Sequence, residues 1–93
     1  MESEKSIEKY LKLQMQKIGG DSYKFVSPQR RGVPDRICIF PDGTIVFIEV
    51  KSEGEVLQPH QAREAEKMRN LNLNVSWVDT KAKVDSIINR FNR

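Results

Sequence analysis

Asp35, Glu49 and Lys51 are two acids and a lysine placed as a metal-assisted hydrolytic site would need them. They sit on two runs rich in β-branched and aromatic residues, 35–40 and 44–51, separated by Pro41-Asp42-Gly43. Proline presets the first turn position and glycine accepts a left-handed one, so this three-residue loop predicts a bulged hairpin. It would pair Phe40 with Thr44, and counting back along both strands sets Asp35 opposite Glu49. Strand alternation puts Glu49 and Lys51 on one face with Ile45 and Phe47, and Asp35 on one face with Ile37 and Ile39. Directly opposed residues hold their Cβ atoms roughly 4.5–5.5 Å apart, and like charges there repel.

Such a pair needs a counter-charge. Lys51 supplies one, and a divalent cation supplies a better one. Hard oxygen donors suit Mg²⁺ or Mn²⁺, which use one or two carboxylates with water and substrate phosphate. An ion of this kind acidifies a bound water and neutralises charge on a phosphodiester under attack. Lys51 would orient or activate the water and stabilise the transition state. Taken singly, each half reads equally well as an edge charge in a screened ion pair. The matching register of the two halves favours the site.

The helices and strands around these residues follow from periodicity. Ile7, Leu11, Met15 and Ile18 recur at spacings of three and four, which predicts a helix over 4–18 stopped by Gly19-Gly20. Residues 22–26 alternate Tyr23 and Phe25 with polar neighbours and predict a short strand. The loop Ser27 to Gly32 follows, and then the hairpin, whose second strand is apolar on both faces until Glu49 and so central in its sheet. Pro59 suits the first turn of a helix running to about Asn70, with Ala62, Ala65, Met68 and Leu71 inward. Residues 75–78 form a fourth strand containing Trp77, and Thr80 caps a last helix striped by Val84, Ile87, Ile88 and Phe91. The order α-β-β-β-α-β-α predicts an α/β fold, a small mixed sheet flanked by helices in a single domain spanning 1–93.

Composition excludes several classes. The chain has 93 residues, 38% hydrophobic and 31% charged, which is neither disordered nor low-complexity. Its longest near-apolar run, 45–50, is interrupted by Glu49 and too short for a bilayer, and no apolar signal segment opens the chain. One cysteine, Cys38, leaves no disulfide framework and no cysteine zinc site. The expectation is a soluble cytoplasmic protein with no membrane association. The net charge of +3 is too small to prove a nucleic-acid partner. Placement is more telling, because Lys24, Arg30, Arg31 and Arg36 fall within thirteen residues whose only acid is Asp35. Such a cluster could be a phosphate footprint, and a solvated loop fits it equally well.

Pro34-Asp35, thirteen intervening residues, then Glu49-Val50-Lys51 resembles the PD-(D/E)xK signature of restriction-endonuclease-like nucleases. More narrowly, Gly32-Val33-Pro34-Asp35-Arg36, Phe47-Ile48-Glu49-Val50-Lys51 and Leu57-x-Pro59-x-Gln61 resemble the VRR-NUC domain. Upstream, Glu4-Lys5-x-Ile7-Glu8, Gly19-Gly20 and Lys24-Phe25-x-Ser27-Pro28 extend the likeness over roughly residues 4–80. The resemblance implies a restriction-endonuclease-like αβββαβ core and a metal-dependent DNA endonuclease. It further implies kinship with the stand-alone phage-type forms, which resemble Holliday-junction resolvases and act as homodimers on branched DNA. By position, Asp35, Glu49 and the Val50 main-chain carbonyl would bind Mg²⁺ or Mn²⁺, Lys51 would be the catalytic lysine, and Gln61 the glutamine of the following helix. Glu8 matches the first-helix glutamate that meets the metal through water, with Glu4, one turn away, as its rival. Gln29-Arg30-Arg31 departs from the glycine often found after Ser-Pro in that family.

The remaining candidates are weighed on their own residues. Glu8 borders the Ile7–Leu11 stripe, so a boundary salt bridge suits it as well as a metal role. Gln61 shares a helical face with Ala65 and Met68 and needs a hydrogen-bond partner. His60 reads as a surface residue, and Cys38 and Trp77 as core. Arg30 and Arg31 are the stronger phosphate contacts, Lys24 and Arg36 the weaker. The rival to a nuclease is a non-catalytic DNA-binding module of the same fold.

Overall fold

The computed structural model describes residues 1–93. Its elements are α1 (Glu4–Lys17), β1 (Asp21–Lys24), β2 (Arg36–Ile39), β3 (Ile45–Val50), α2 (Pro59–Asn70), β4 (Asn74–Val78) and α3 (Lys81–Phe91). The strands form one sheet in the order β1-β2-β3-β4. The first two pairings are antiparallel and β3–β4 is parallel, with α2 as the crossover. The α-β-β-β-α-β-α order is as the sequence predicts.

Local chemistry starts the helices. The Ser3 hydroxyl caps α1 by accepting from the Ser6 N–H at 3.1 Å, and Thr80 caps α3 through the Lys83 N–H at 3.2 Å. In α2 the Gln61 side chain accepts from the Gln58 N–H at 2.9 Å, with Pro59 in the first turn. The β2–β3 turn closes as expected: Gly43 takes φ +89° and donates to the Phe40 carbonyl at 2.9 Å. Register then runs Ile39↔Ile45 to Arg36↔Ile48, so Asp35 and Glu49 are the next pair along.

The sheet is covered unevenly. On one face α1 and α3 bury Ile7, Leu11, Met15, Val84 and Ile88 against Cys38, Phe40, Val46, Ile48, Val50 and Val78. Each fully buried aliphatic side chain here contributes roughly 1.5–3 kcal/mol. On the other face α2 sets Ala65 and Met68 on Val75, with Phe47 alongside. Helix α2 stops short of β1 and β2, and Tyr23 stays 53% and Ile45 44% exposed.

Four details differ from the sequence reading. Strand β1 spans 21–24 and turns Ser22 inward, because the face carrying Tyr23 has no helix over it. Ala62 is exposed and Leu71 is 74% exposed, since α2 touches the sheet only along Ala65 and Met68 and ends before Leu71. Trp77 is half-buried on the outermost strand, with the Lys83 ammonium 4.3 Å from its ring centre. Arg36, expected as a weak phosphate contact, is buried at 6% exposure. It shares the inward strand parity of Cys38 and Phe40 and is not available to a ligand in solvent.

Candidate active site

The candidate site lies where β2 begins and β3 ends, beside the first turns of α1 and α2. Asp35 and Glu49 are both half-buried. Asp35 Oδ1 accepts the Val50 N–H at 3.2 Å, which ties the start of one strand to the end of the next. Glu49 Oε2 accepts from the Gln61 amide at 3.3 Å, while the other end of that amide caps α2. Gln61 is therefore held at both ends. Lys51 follows β3, its N–H bonded to the Val78 carbonyl at 2.8 Å.

Electrostatics mark the pair. Burial first, and then the facing Asp35, push the Glu49 carboxyl up to about 7; Lys51 pulls it down and Glu4 adds a smaller upward push. Asp35 is raised chiefly by burial, with Glu8 and Glu4 adding and the Val50 N–H opposing. Four acids thus converge on one end of the sheet. Beside them is a cleft of about 360 Å³ lined by Glu4, Lys5, Glu8, Lys24 and Asp35, with no apolar wall.

No three His, Cys, Asp or Glu side chains close into a ready-made ligand cage. Asp35 and Glu49 instead offer two hard carboxylates beside main-chain oxygen and open cleft. That donor set fits Mg²⁺ or Mn²⁺, which keep several waters, and does not fit a soft metal.

The basic residues separate under this geometry. Arg30 Nε donates to both Glu64 oxygens at 2.9 and 2.8 Å, fastening the 27–33 loop to α2. Gly32 packs on the same helix so closely, at φ +81°, that a Cβ would lie 2.6 Å from the His60 carbonyl oxygen. Arg31 and Lys24 are exposed and form no ion pair. Arg36 points inward, its Nη1 4.0 Å from Glu8 Oε2. Sequence reasoning missed that contact, although strand parity was a signal for it: a residue next to Asp35 must face with Cys38. Cys38 is fully buried, its thiol pushed up to about 11 by burial. His60 is only half-buried, near the helix start, as expected.

This order of elements, with two acids on a hairpin and a lysine two residues beyond the second, defines a restriction-endonuclease-like nuclease fold. A solved structure described as a VRR_NUC domain matches with a TM-score of 0.88 and 35% identity, covering 98% of this chain and 99% of that one. The chain is also 49% identical over 77 residues to "Putative nuclease p44" of Acyrthosiphon pisum secondary endosymbiont phage 1, across 83% of each. No protein-family model matches. On these two likenesses the chain belongs to the VRR-NUC nuclease family. No helix is long and apolar enough to cross a membrane.

Proposed function

We propose that residues 1–93 form one nuclease domain that hydrolyses phosphodiester bonds in DNA with a divalent cation. The observation that carries this is the facing pair Asp35 and Glu49, the latter with a carboxyl pushed up to about 7 and Lys51 two residues away. Two acids kept together against their own repulsion suit a site that is completed by a cation. Asp35, Glu49 and the Val50 carbonyl would hold Mg²⁺ or Mn²⁺, with Glu8 reaching it through water. Bound there, the ion supplies charge neutralisation and an acidified water.

The chain's own groups do the rest. Gln61 fixes the Glu49 carboxylate through its amide, so that one oxygen keeps a constant direction. Lys51 orients the attacking water and donates to the phosphoryl oxygens as charge builds on them. Arg31 and Lys24, free of acid partners, hold flanking phosphates and confer affinity without reading sequence. A branched substrate such as a Holliday junction follows from the family resemblance. A two-fold dimer, presenting two such sites to two strands, suits that substrate.

The test is cleavage of a labelled four-way junction and of linear duplex with Mg²⁺, Mn²⁺ or EDTA, comparing wild type with Asp35→Asn and Lys51→Ala. Metal-dependent cutting lost in both variants is the expected result. Equal cutting of duplex and junction removes the branched substrate and keeps the nuclease. Salt-sensitive binding without any cutting would instead establish the non-catalytic DNA-binding module.

A further inference from the structure

Arg36 is buried, as guanidinium groups almost never are unless paired. Its Nε donates to the Ser22 hydroxyl at 3.1 Å and its Nη2 to the Ser22 carbonyl at 3.0 Å. Ser22 is itself fully buried. These two neutral oxygens satisfy hydrogen bonds but do not balance a charge. The remaining fork nitrogen, Nη1, lies 4.0 Å from Glu8 Oε2, and no other carboxylate is within ion-pair range of Arg36.

We propose that Arg36 is a positioning residue: anchored on Ser22, it selects Glu8 rather than Glu4 as the first-helix carboxylate of the cleft and holds it facing Asp35. This rests on the metal-dependent reading above. Three observations carry it. Glu8 and Glu4 line the same cleft with Asp35, but only Glu8 has a cationic partner. The separation of 4.0 Å is too long for a hydrogen bond and at the outer edge of ion-pair range, so the guanidinium attracts Glu8 without occupying its lone pairs. The pair Arg30–Glu64, at 2.8 Å, shows the opposite case of a carboxylate consumed by its partner. Asp35, finally, just precedes β2 and lies outside ion-pair range of Arg36 although it adjoins it in sequence. The guanidinium therefore steers Glu8 without competing for the ligand next to it in sequence.

Two readouts test this without relying on cleavage. In metal-free protein, Glu8→Gln strips a buried guanidinium of its only carboxylate and should lower the melting temperature, whereas Glu4→Gln should not. A rise on Glu8→Gln equal to that on Glu4→Gln would make Glu8 one more repelling acid and overturn the pairing. In Mn²⁺ calorimetry, Glu8→Gln and Arg36→Lys should each weaken binding about tenfold, with no further loss in the double variant. Losses that multiply, an Arg36→Lys protein binding Mn²⁺ like wild type, or a greater loss from Glu4→Gln would each overturn the proposal. Should Arg36→Lys fail to fold, Ser22→Ala removes the hydroxyl half of the anchor, leaves the main-chain carbonyl and keeps the charge; unchanged Mn²⁺ affinity would then count against positioning. A wild type that binds no Mn²⁺ sinks the metal reading and the positioning role with it, and the metal-free comparison still decides whether the Arg36–Glu8 pair exists.

Discussion

Glu49→Gln, studied without metal, isolates the strain held in the acid pair. The Glu49 carboxyl moves from an ordinary 4.5 to about 7 on folding, through burial and the facing Asp35. A raised carboxyl means that the folded chain retains a proton the unfolded chain gives up. The Glu49 contribution to stability is therefore most favourable below about pH 4.5, falls as pH rises toward 7, and levels off beyond. At about 1.4 kcal/mol per pH unit the full effect would exceed ~3 kcal/mol, and water's access to a half-exposed group cuts this to roughly 1–2 kcal/mol. Urea unfolding in EDTA at pH 5 and pH 8 reads the difference as a midpoint change of about 1 M for the wild type. In Glu49→Gln most of that drop should vanish, leaving the variant the more stable protein at pH 8. The same pH slope in both proteins, or a variant weaker than wild type at pH 8, would refute the electrostatic account of the site.

Other perturbations have definite signs. Gly32→Ala forces a methyl against the His60 carbonyl at a left-handed backbone position, and should cost at least ~2 kcal/mol in urea unfolding. Asp79, held by Lys83 at 2.7 Å and by the Gly54 N–H at 3.0 Å, has a carboxyl lowered chiefly by Lys83. Its contribution should persist above the ordinary carboxylate range and disappear as acid protonates it, so Asp79→Asn should lower the melting temperature at pH 7 and matter little near pH 2. Leu71→Lys, on an exposed position, should change stability by no more than ~0.5 kcal/mol. Arg31→Ala should reduce the slope of log affinity for duplex DNA against log salt by about 0.9, and Arg30→Ala, already committed to Glu64, by clearly less.

The hairpin and the facing acids were legible because their determinants are local. Turn residues set the loop, and a period of two sets which side chains share a face. The same period placed Arg36 with Cys38 and Phe40, yet its charge drew it into the phosphate footprint, and parity outweighed charge. The inner face of α2 was over-read for a different reason. Ala62 and Leu71 extend the Ala65–Met68 stripe in sequence, but contact width is decided by how far the helix lies across the sheet, which periodicity does not encode. The Arg30–Glu64 clamp joins residues 34 apart and depends on that same helix placement, so no local pattern announces it.

The β2–β3 hairpin also bears on how the chain folds. Its contacts close over a short stretch of sequence, whereas the parallel β3–β4 pairing must wait for the whole α2 crossover. If the hairpin forms ahead of the crossover, Asp35 and Glu49 meet while most of the covering core is absent, and their repulsion is felt on the way to the transition state. Relieving it at pH 8 would then raise the folding rate more than it lowers the unfolding rate, the reverse of what a late-forming contact would do. The family's site chemistry would in that case act as a brake on its own assembly.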